Sequence, residues 1–447
     1  MLDITFIREN PDIVRAAIKN KNREGIDLDR ALALADERKK VAGEISDLNQ
    51  QKNINAKKFG PGLDEAAKAE ILAEGVRIKE ATAAAEEKYQ TLEKELVSIL
   101  VKIPNIPSAD TPVGPDESGN KVVRQWGQKR EFSFAPKAHW DIGKELGIID
   151  SEKAAEVSGA RFTYLKGDLA LMQQALIQFT YSLLTSREKL EEIIKKAGLS
   201  VEPKPFVPMV VPLMMRSTVM KRMSRLDPID ERYHFEKDDL VFIGSAEHTL
   251  GPLHMDETLA ESALPIRYVA ASAAFRREAG AAGKDTRGIL RQHQFDKIEM
   301  ESFTKPEDGY AEQELFVAIQ EHIMQALNIP YQVVLICTGD MGFPDQRQFD
   351  IESWMPGQPA EDASQALGRY RETHTSDYMG GFQARRLNTR VKRTDGTLEP
   401  VHMNDATAVA IGRTLIAILE NYQNEDGTVT IPEVLRAYIG KEKIVKQ

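Results

Sequence analysis

The chain has one cysteine among its 447 residues, Cys337, so no intrachain disulfide can form and a cysteine-rich zinc site is excluded. No zinc is expected. No apolar run reaches membrane-spanning length. The first residues, MLDITFIRENPDIV, set Asp, Arg and Glu where a secretory signal needs an apolar core. A cytoplasmic protein with no membrane partner is the expectation. Positive charge is not in excess either: 59 Lys and Arg face 69 Asp and Glu, for a net charge of −10. That argues against a protein that coats nucleic acid indiscriminately, yet it allows one that grips RNA through a local basic patch. A Ser-His-Asp or Cys-His pattern for a covalent nucleophile is also missing.

What is present is a composition able to form a large core, 42% hydrophobic, over a length that suits two or three domains. Residues 3–22 read as a short amphipathic helix. Its core candidates are Ile4, Ile7, Val14 and Ile18, and Asn10 is a candidate cap before Pro11. Leu34, Val41 and Leu48 then fall seven apart, with Ile45 between the last two. After the breaker Phe59-Gly60-Pro61-Gly62, a second series repeats every seven residues: Ile71, Ile78, Ala85, Leu92 and Ile99, joined by Tyr89 and Leu96. Two heptad-patterned helices split by a Gly-Pro turn predict an antiparallel coiled-coil hairpin. Each arm would be about 50 Å long at 1.5 Å per residue. Residues 103–125, rich in Pro, Gly and Asp, read as a linker or a set of tight turns, and 106–135 is taken as the linker between domains. Phe349 to Trp354 (FDIESW) reads as a buried strand, and Leu415 onward as a strong helix.

The stretch from Phe275 to Glu299, FRREAGAAGKDTRGILRQHQFDKIE, has two apolar flanks and a Gly-rich polar middle. Arg276 and Glu278 are two apart and would share a face of a strand, as would Lys297 and Glu299. A long hairpin would then gather a guanidinium and carboxylates over one surface. Gly280, Gly283 and Gly288 would let its loop bend closely around a ligand. Such a surface suits a substrate with both phosphate and ammonium groups.

This stretch closely resembles the second signature motif of class II aminoacyl-tRNA synthetases, in particular the version of the seryl-tRNA synthetases. The resemblance extends over nearly the whole chain. Pro136 to Ile149 is similar to the start of the family's catalytic domain. Tyr164 to Gly167 and the helix from Leu169 to Leu184 resemble the first motif, with Pro205 as its proline. Ser245-Ala246-Glu247 resembles the family's Thr-Ala-Glu loop. Arg371 to Thr375 (RETHT) resembles its Glu-x-x-Ser segment, and Gln383-Ala384-Arg385-Arg386 its following strand. NDATAVAIGRT, from Asn404 to Thr414, resembles the third motif with Arg413 as its arginine; many relatives read Asn-Gly-Ser-Gly here, so Asp405 departs from the pattern.

The resemblance implies an α+β fold: an N-terminal antiparallel coiled-coil hairpin in residues 1–105, then a class II catalytic domain, a mixed, largely antiparallel sheet with flanking helices, in 136–447. It implies ATP-dependent activation of L-serine to seryl-adenylate and transfer to the 3′ end of tRNA-Ser, with tRNA-Sec as a further acceptor, by a homodimer. Serine would meet Ser245, Ala246, Glu247, Arg276, Glu299 and Thr407; which carboxylate takes the ammonium stays open. ATP would meet Arg276, Arg277, Glu278, Gln292, Glu372, Thr373, His374, Thr375 and Arg413. Arg276 would bridge the serine carboxylate and α-phosphate, and Arg413 would grip the γ-phosphate end. Glu372 and Thr375 offer hard oxygens to Mg²⁺ carried with ATP. The arm would touch tRNA phosphates through Arg38, Lys39, Lys52, Lys57 and Lys58. His248 reads as structural.

Two superficial matches carry no function. KRMSR, from Lys221 to Arg225, is similar to the lysine loop of class I synthetases, but no His-x-Gly-His partner exists in the chain. Gly283-Lys284 is similar to a P-loop, but Asp285 stands where Ser or Thr must hold magnesium. Two other readings compete. One is a paralogue that loads a carrier protein, against which the hairpin counts. The other is a catalytically dead RNA-binding protein or scaffold, against which Arg276, Glu278, Glu299, Glu372 and Arg413 count.

Overall fold

The computed structural model describes residues 1–279, 287–360 and 367–446. The chain divides into two compact units, Met1–Ile106 and Pro107–Gln447.

The first unit is helical. Residues 3–22 form two helices rather than one, α1 (Ile4–Glu9) and α2 (Pro11–Asn20). Pro11 explains the break: it has no N–H to continue a helix and suits a first turn. Asn10 sits at the N-cap of α2, but its side chain makes no capping bond and donates back to the carbonyl of Phe6 instead. Helices α3 (Leu28–Lys57) and α4 (Glu65–Leu100) form the expected hairpin. Asp27 and Asp64 cap them, each accepting from a backbone N–H three residues on. The heptad positions Leu34, Val41, Ile78, Ala85, Leu92 and Leu96 are buried along the seam. Near the tip the seam holds one polar side chain, Asn55, whose amide donates to the carbonyl of Ile71 across the hairpin at 2.8 Å.

The second unit is built on an eight-stranded sheet. Its strands are β1 (Lys121–Trp126), β2 (Val207–Met209), β3 (Ile266–Phe275), β4 (Gln294–Thr304), β5 (Tyr331–Leu335), β6 (Arg347–Met355), β7 (Arg369–Gly380) and β8 (His402–Ala410). They lie in the order β1-β5-β6-β7-β8-β4-β3-β2. All pairings are antiparallel except that of β2 with β3. The α+β expectation holds. Pro208 lies in β2, an edge strand, where a missing donor costs little. The segment read as a linker is not one throughout: β1 pairs with β5 along residues 331–335. Its pairing partner lies some two hundred residues away, which no local pattern could reveal.

One face of the sheet packs on helices α5 (Asp168–Leu184), α7 (Gly309–Ala326) and α9 (Ile411–Asn421), and their apolar side chains fill the main core with Ile298, Met300, Ile351 and Ala406. Two of the shorter helices between them are α6 (Ser217–Arg222) and α8 (Phe382–Leu387). Helix α8 contains Gln383 to Arg386, so the expectation of a strand there is wrong. Gly380 and Gly381 end β7, and the buried Phe382, Ala384 and Leu387 of the next turns face inward.

Candidate active site

The sheet's other face supports the chemistry. On β4, Lys297, Glu299 and Glu301 alternate onto one side, and the register sets Thr407 of β8 opposite Glu299 and Asp405 opposite Glu301. Asp377 of β7 lies opposite Asp405. Glu372 and Thr375 are three apart, a spacing that would put them on opposite faces of a regular strand. A register shift between β6 and β7 at this point lets both line the same cleft. The opposite side of these strands is pinned from α7, where the Gln320 amide donates to the carbonyls of Thr375 (2.7 Å) and Thr407 (2.9 Å). Their hydroxyls stand 3.3 Å apart.

The cleft has a cavity volume of about 90 Å³ and opens to solvent. Arg276, Glu278, Gln292, Lys297, Glu372 and Arg413 are among the groups that line it, over a floor that includes Phe295. Arg276 lies just beyond the end of β3, not on it, so the shared strand face expected for Arg276 and Glu278 does not exist. Glu278 instead has a left-handed backbone, φ +54°, and its carboxylate accepts from Arg291 at 2.7 Å. Two contacts fix Arg276: its Nε donates to the carbonyl of Gly244 at 3.2 Å, and its guanidinium lies over the Phe295 ring at 5.3 Å. Gly280 and Gly283 lie outside the described residues, as do Lys284 and Asp285. Gly288 has φ +72°, and a Cβ there would meet His139 Nε2 at 2.0 Å, so both conformation and space require glycine.

At the far side, Arg413 stands in the first turn of α9 and donates to the carboxylate of Glu372 at 2.8 Å and to its backbone carbonyl at 3.0 Å. Against partial desolvation, Arg413 and then Arg276 hold Glu372 below the usual carboxylate range. Thr373 also lines the cleft, but His374 is buried beside it, its Nδ1 2.8 Å from the Thr373 hydroxyl. Burial pushes His374 down to about 3, so it carries no charge to offer a phosphate. Arg277 points elsewhere: it is exposed, with its guanidinium 6.0 Å from the Tyr233 ring.

Beneath the cleft lies a chamber of closely set, buried polar side chains. Glu299 accepts from Lys297 at 2.7 Å and from the Ser245 hydroxyl at 2.9 Å. Burial raises the Glu299 carboxyl above its ordinary value, against the pull of Lys297. Glu247 opens a single helical turn, Glu247–Leu250, and brings an oxygen within 4.8 Å of oxygens of Glu299 and Asp405. Burial opposes its ionisation, but Arg225 and then His248 hold it well below the ordinary range. His248 itself is pushed down to about 4 by burial, and its Nδ1 accepts from the backbone N–H of Gly244. Its two ring nitrogens thus face the backbone of Gly244 and the carboxylate of Glu247.

Arg225 belongs to the KRMSR match, which carries no function as a motif, but the residue itself is not idle. No class I lysine loop exists, yet this arginine reaches the chamber. The chain leaves α6 and turns at Ser224, φ +64°, which aims Arg225 inward. Its Nε lies 3.2 Å from Glu247 and its Nη2 3.2 Å from Asp405. Burial alone would lower its pKa, but Glu247, Asp405, Asp345 and Asp377 together hold it above the ordinary value. The one sequence signal is indirect: Asp405 departs from its motif, and a new buried carboxylate calls for a new cation.

In the first unit, Lys39, Lys52, Lys57 and Lys58 are exposed along α3 and its end. Arg38 differs, because its guanidinium is engaged with Glu93 of α4.

Comparison with known proteins agrees with this arrangement. Residues 1–107 match the model of the seryl-tRNA synthetase N-terminal domain, and residues 233–422 that of the tRNA synthetase class II core domain (G, H, P, S and T). The chain is 41% identical to the serine–tRNA ligase of Symbiobacterium thermophilum, over 99% of this chain and 100% of that protein. It is 40% identical to that of Coprothermobacter proteolyticus, over 98% and 100%. Among solved structures, it superposes on the seryl-tRNA synthetase from Pyrococcus horikoshii complexed with ATP with a TM-score of 0.86, at 35% identity and complete coverage of both chains. The cytoplasmic serine–tRNA ligase from Naegleria fowleri in complex with AMP gives 0.83 at 30% identity, covering 100% of this chain and 99% of the other.

Proposed function

This chain belongs to the seryl-tRNA synthetases, and from that premise we propose how its own residues divide the work. The reaction is the ATP-dependent activation of L-serine to seryl-adenylate and its transfer to the 3′ end of tRNA-Ser. The observation that carries the division of labour is the single cleft shared by Arg276, Glu372, Thr407 and Arg413, with Glu299 held directly beneath it.

The serine carboxylate attacks the α-phosphorus of ATP and pyrophosphate leaves. Arg276, already oriented by Gly244 and Phe295, lies between the two reacting groups and offsets the negative charge that grows on the transferring phosphoryl. Arg413 exchanges its partner Glu372 for the terminal phosphate. Glu278, Arg291 and Gln292 line the end that takes the base. The serine ammonium is received by Glu247 and Glu299, and the side-chain hydroxyl by Thr407 with Glu299. Rejection of threonine then rests on the lack of room for one methyl, worth about 1–3 kcal/mol by packing alone.

The oxygens of Glu372 and Thr375 line one side of the cleft and are of the kind Mg²⁺ prefers. They would hold the ion that arrives with ATP, where it supplies charge screening between the phosphates. The exposed lysines of the arm, Lys39, Lys52, Lys57 and Lys58, meet tRNA phosphates by shape. That mode would admit tRNA-Sec beside tRNA-Ser. A homodimer working in the cytoplasm completes the reading, with α5 and the edge strand β2 as the contact. Among the described residues no helix is long and apolar enough to cross a membrane.

The test is direct. The purified chain should exchange pyrophosphate into ATP only when serine is added, and should then charge tRNA-Ser. Exchange that ignores serine would overturn the reading.

A further inference from the structure

The amino-acid chamber holds more buried acid than fixed positive charge. Glu247, Glu299, Glu301, Asp377 and Asp405 are each at most 8% exposed. Register places Glu301, Asp405 and Asp377 side by side across three neighbouring strands, directly below the rung that carries Glu299 and Thr407. Among the described residues, two cations contact this group. Lys297 meets Glu299 at 2.7 Å. Arg225 spans the rest, 3.2 Å from Glu247, 3.2 Å from Asp405 and 3.8 Å from Asp377. Arg232 adds a weaker attraction to Glu247 from further off. Charge buried in this way must be balanced by a cation, by protons or by the ligand.

That balance bears on selectivity. If serine is the substrate, as proposed above, its nearest competitor by charge is 2,3-diaminopropionate. That molecule has the skeleton of serine with an ammonium in place of the hydroxyl. Shape cannot exclude it, and an acid-rich chamber would attract it. A pocket rejects such a competitor by filling its cationic positions in advance.

We propose that Arg225 is a positioning residue that sets the charge of the amino-acid chamber. It holds Glu247 and Asp405 so that the site receives one ammonium and turns away amino acids bearing a second, side-chain cation. Arg225 acts through these two carboxylates and does not touch the reacting atoms. Its guanidinium suits the task, because Nη2 donates to Asp405 while the same charge stands within ion-pair distance of Glu247. Substitution by lysine would keep the charge but let it serve only one of the two acids.

The experiment compares serine-dependent and 2,3-diaminopropionate-dependent ATP–pyrophosphate exchange. It uses the full-length wild type, Arg225→Met, Asp405→Asn and the double variant, with thermal unfolding as a check on fold. Arg225→Met should lower the serine-to-diaminopropionate ratio of kcat/KM by about tenfold or more, because one unit of buried positive charge is removed. Asp405→Asn should raise that ratio, and the double variant should return it close to wild type. A role in stability alone would depress both amino acids together and leave the ratio unmoved. A folded Arg225→Met with the wild-type ratio overturns the proposal. If Arg225→Met does not fold, an unchanged or lowered ratio in Asp405→Asn overturns it. Wild-type protein inactive with serine would instead overturn the assignment of the reaction on which the proposal rests.

Discussion

In the helical arm, Arg30 pairs with Glu95 and Arg38 with Glu93 where solvent reaches both partners. In the amino-acid chamber, Lys297 pairs with Glu299 and Arg225 with Glu247 where solvent barely reaches either. The same residue types do different work in the two places. Exposed pairs gain little, because water screens them and long side chains lose freedom on pairing. Buried pairs are costly to break, because the survivor is left as an uncompensated charge. The arm therefore draws its order from the apolar seam and leaves its charges to solvent. The chamber, on the proposal above, draws its selectivity from charges that must all stay in place.

The largest effect should come from the cleft. Arg276→Ala removes the guanidinium proposed above to reach both reacting groups, and loss of such a preorganised partner typically costs about 10²–10³-fold in rate. Serine-dependent ATP–pyrophosphate exchange should fall by that much or more while the melting temperature stays close to wild type. Exchange within a few-fold of wild type would remove Arg276 from the mechanism and erase the contrast with the arm.

Next is Glu299→Ala. It strands the buried Lys297 and empties the acceptor of the Ser245 hydroxyl. Breaking a buried pair on one side costs about 3–5 kcal/mol, so the variant should be less stable by that order in urea titration. Its KM for serine should rise far more than its KM for ATP. A stability loss below about 1 kcal/mol would mean that the pair behaves like those of the arm.

The third test turns to the arm. Replacing Lys52, Lys57 and Lys58 together by Ala should leave pyrophosphate exchange unchanged, because the adenylate forms in the other unit. It should raise KM for tRNA-Ser in aminoacylation. It should also flatten the salt dependence, by about one unit of slope for each phosphate that is no longer neutralised. Unchanged tRNA kinetics would assign these lysines to an ordinary solvated face.

How much of this is legible in the sequence follows the same division. The arm declares itself because its order is local: Leu34 and Val41, or Ile78 and Ala85, repeat within a few turns of one helix, and the breaker at Gly60-Pro61 lies between the two series. Arg276, Glu299, Arg413 and Thr407 are legible through resemblance to known motifs, and all four lie at or directly beneath the cleft. What escapes is set by long-range pairing. Strand β1 hides in a Pro-Gly stretch because only β5 gives it order. The residues of α8 read as strand through the family resemblance, although the Gly380-Gly381 pair is a local sign that the strand ends there. Arg225 carries no motif of its own, because its meaning depends on carboxylates up to 180 positions away.

The smallest expected effect decides what Arg38 is for. By sequence it groups with the lysines as a phosphate contact, yet its guanidinium is engaged with Glu93, and both side chains are about a third exposed, at 27% and 35%. A phosphate would have to displace that carboxylate, whereas at Lys39 and Lys52 it need displace only water. Arg38→Ala should therefore cost no more than about 0.2–1 kcal/mol of stability, the range for a partly solvated pair. It should change KM for tRNA-Ser less than Lys39→Ala does. If Arg38→Ala instead weakens tRNA binding more than Lys39→Ala, with stability intact, then Glu93 acts only as a placeholder for RNA. The arm would then resemble the cleft as proposed above, with Glu93 standing to Arg38 as Glu372 stands to Arg413.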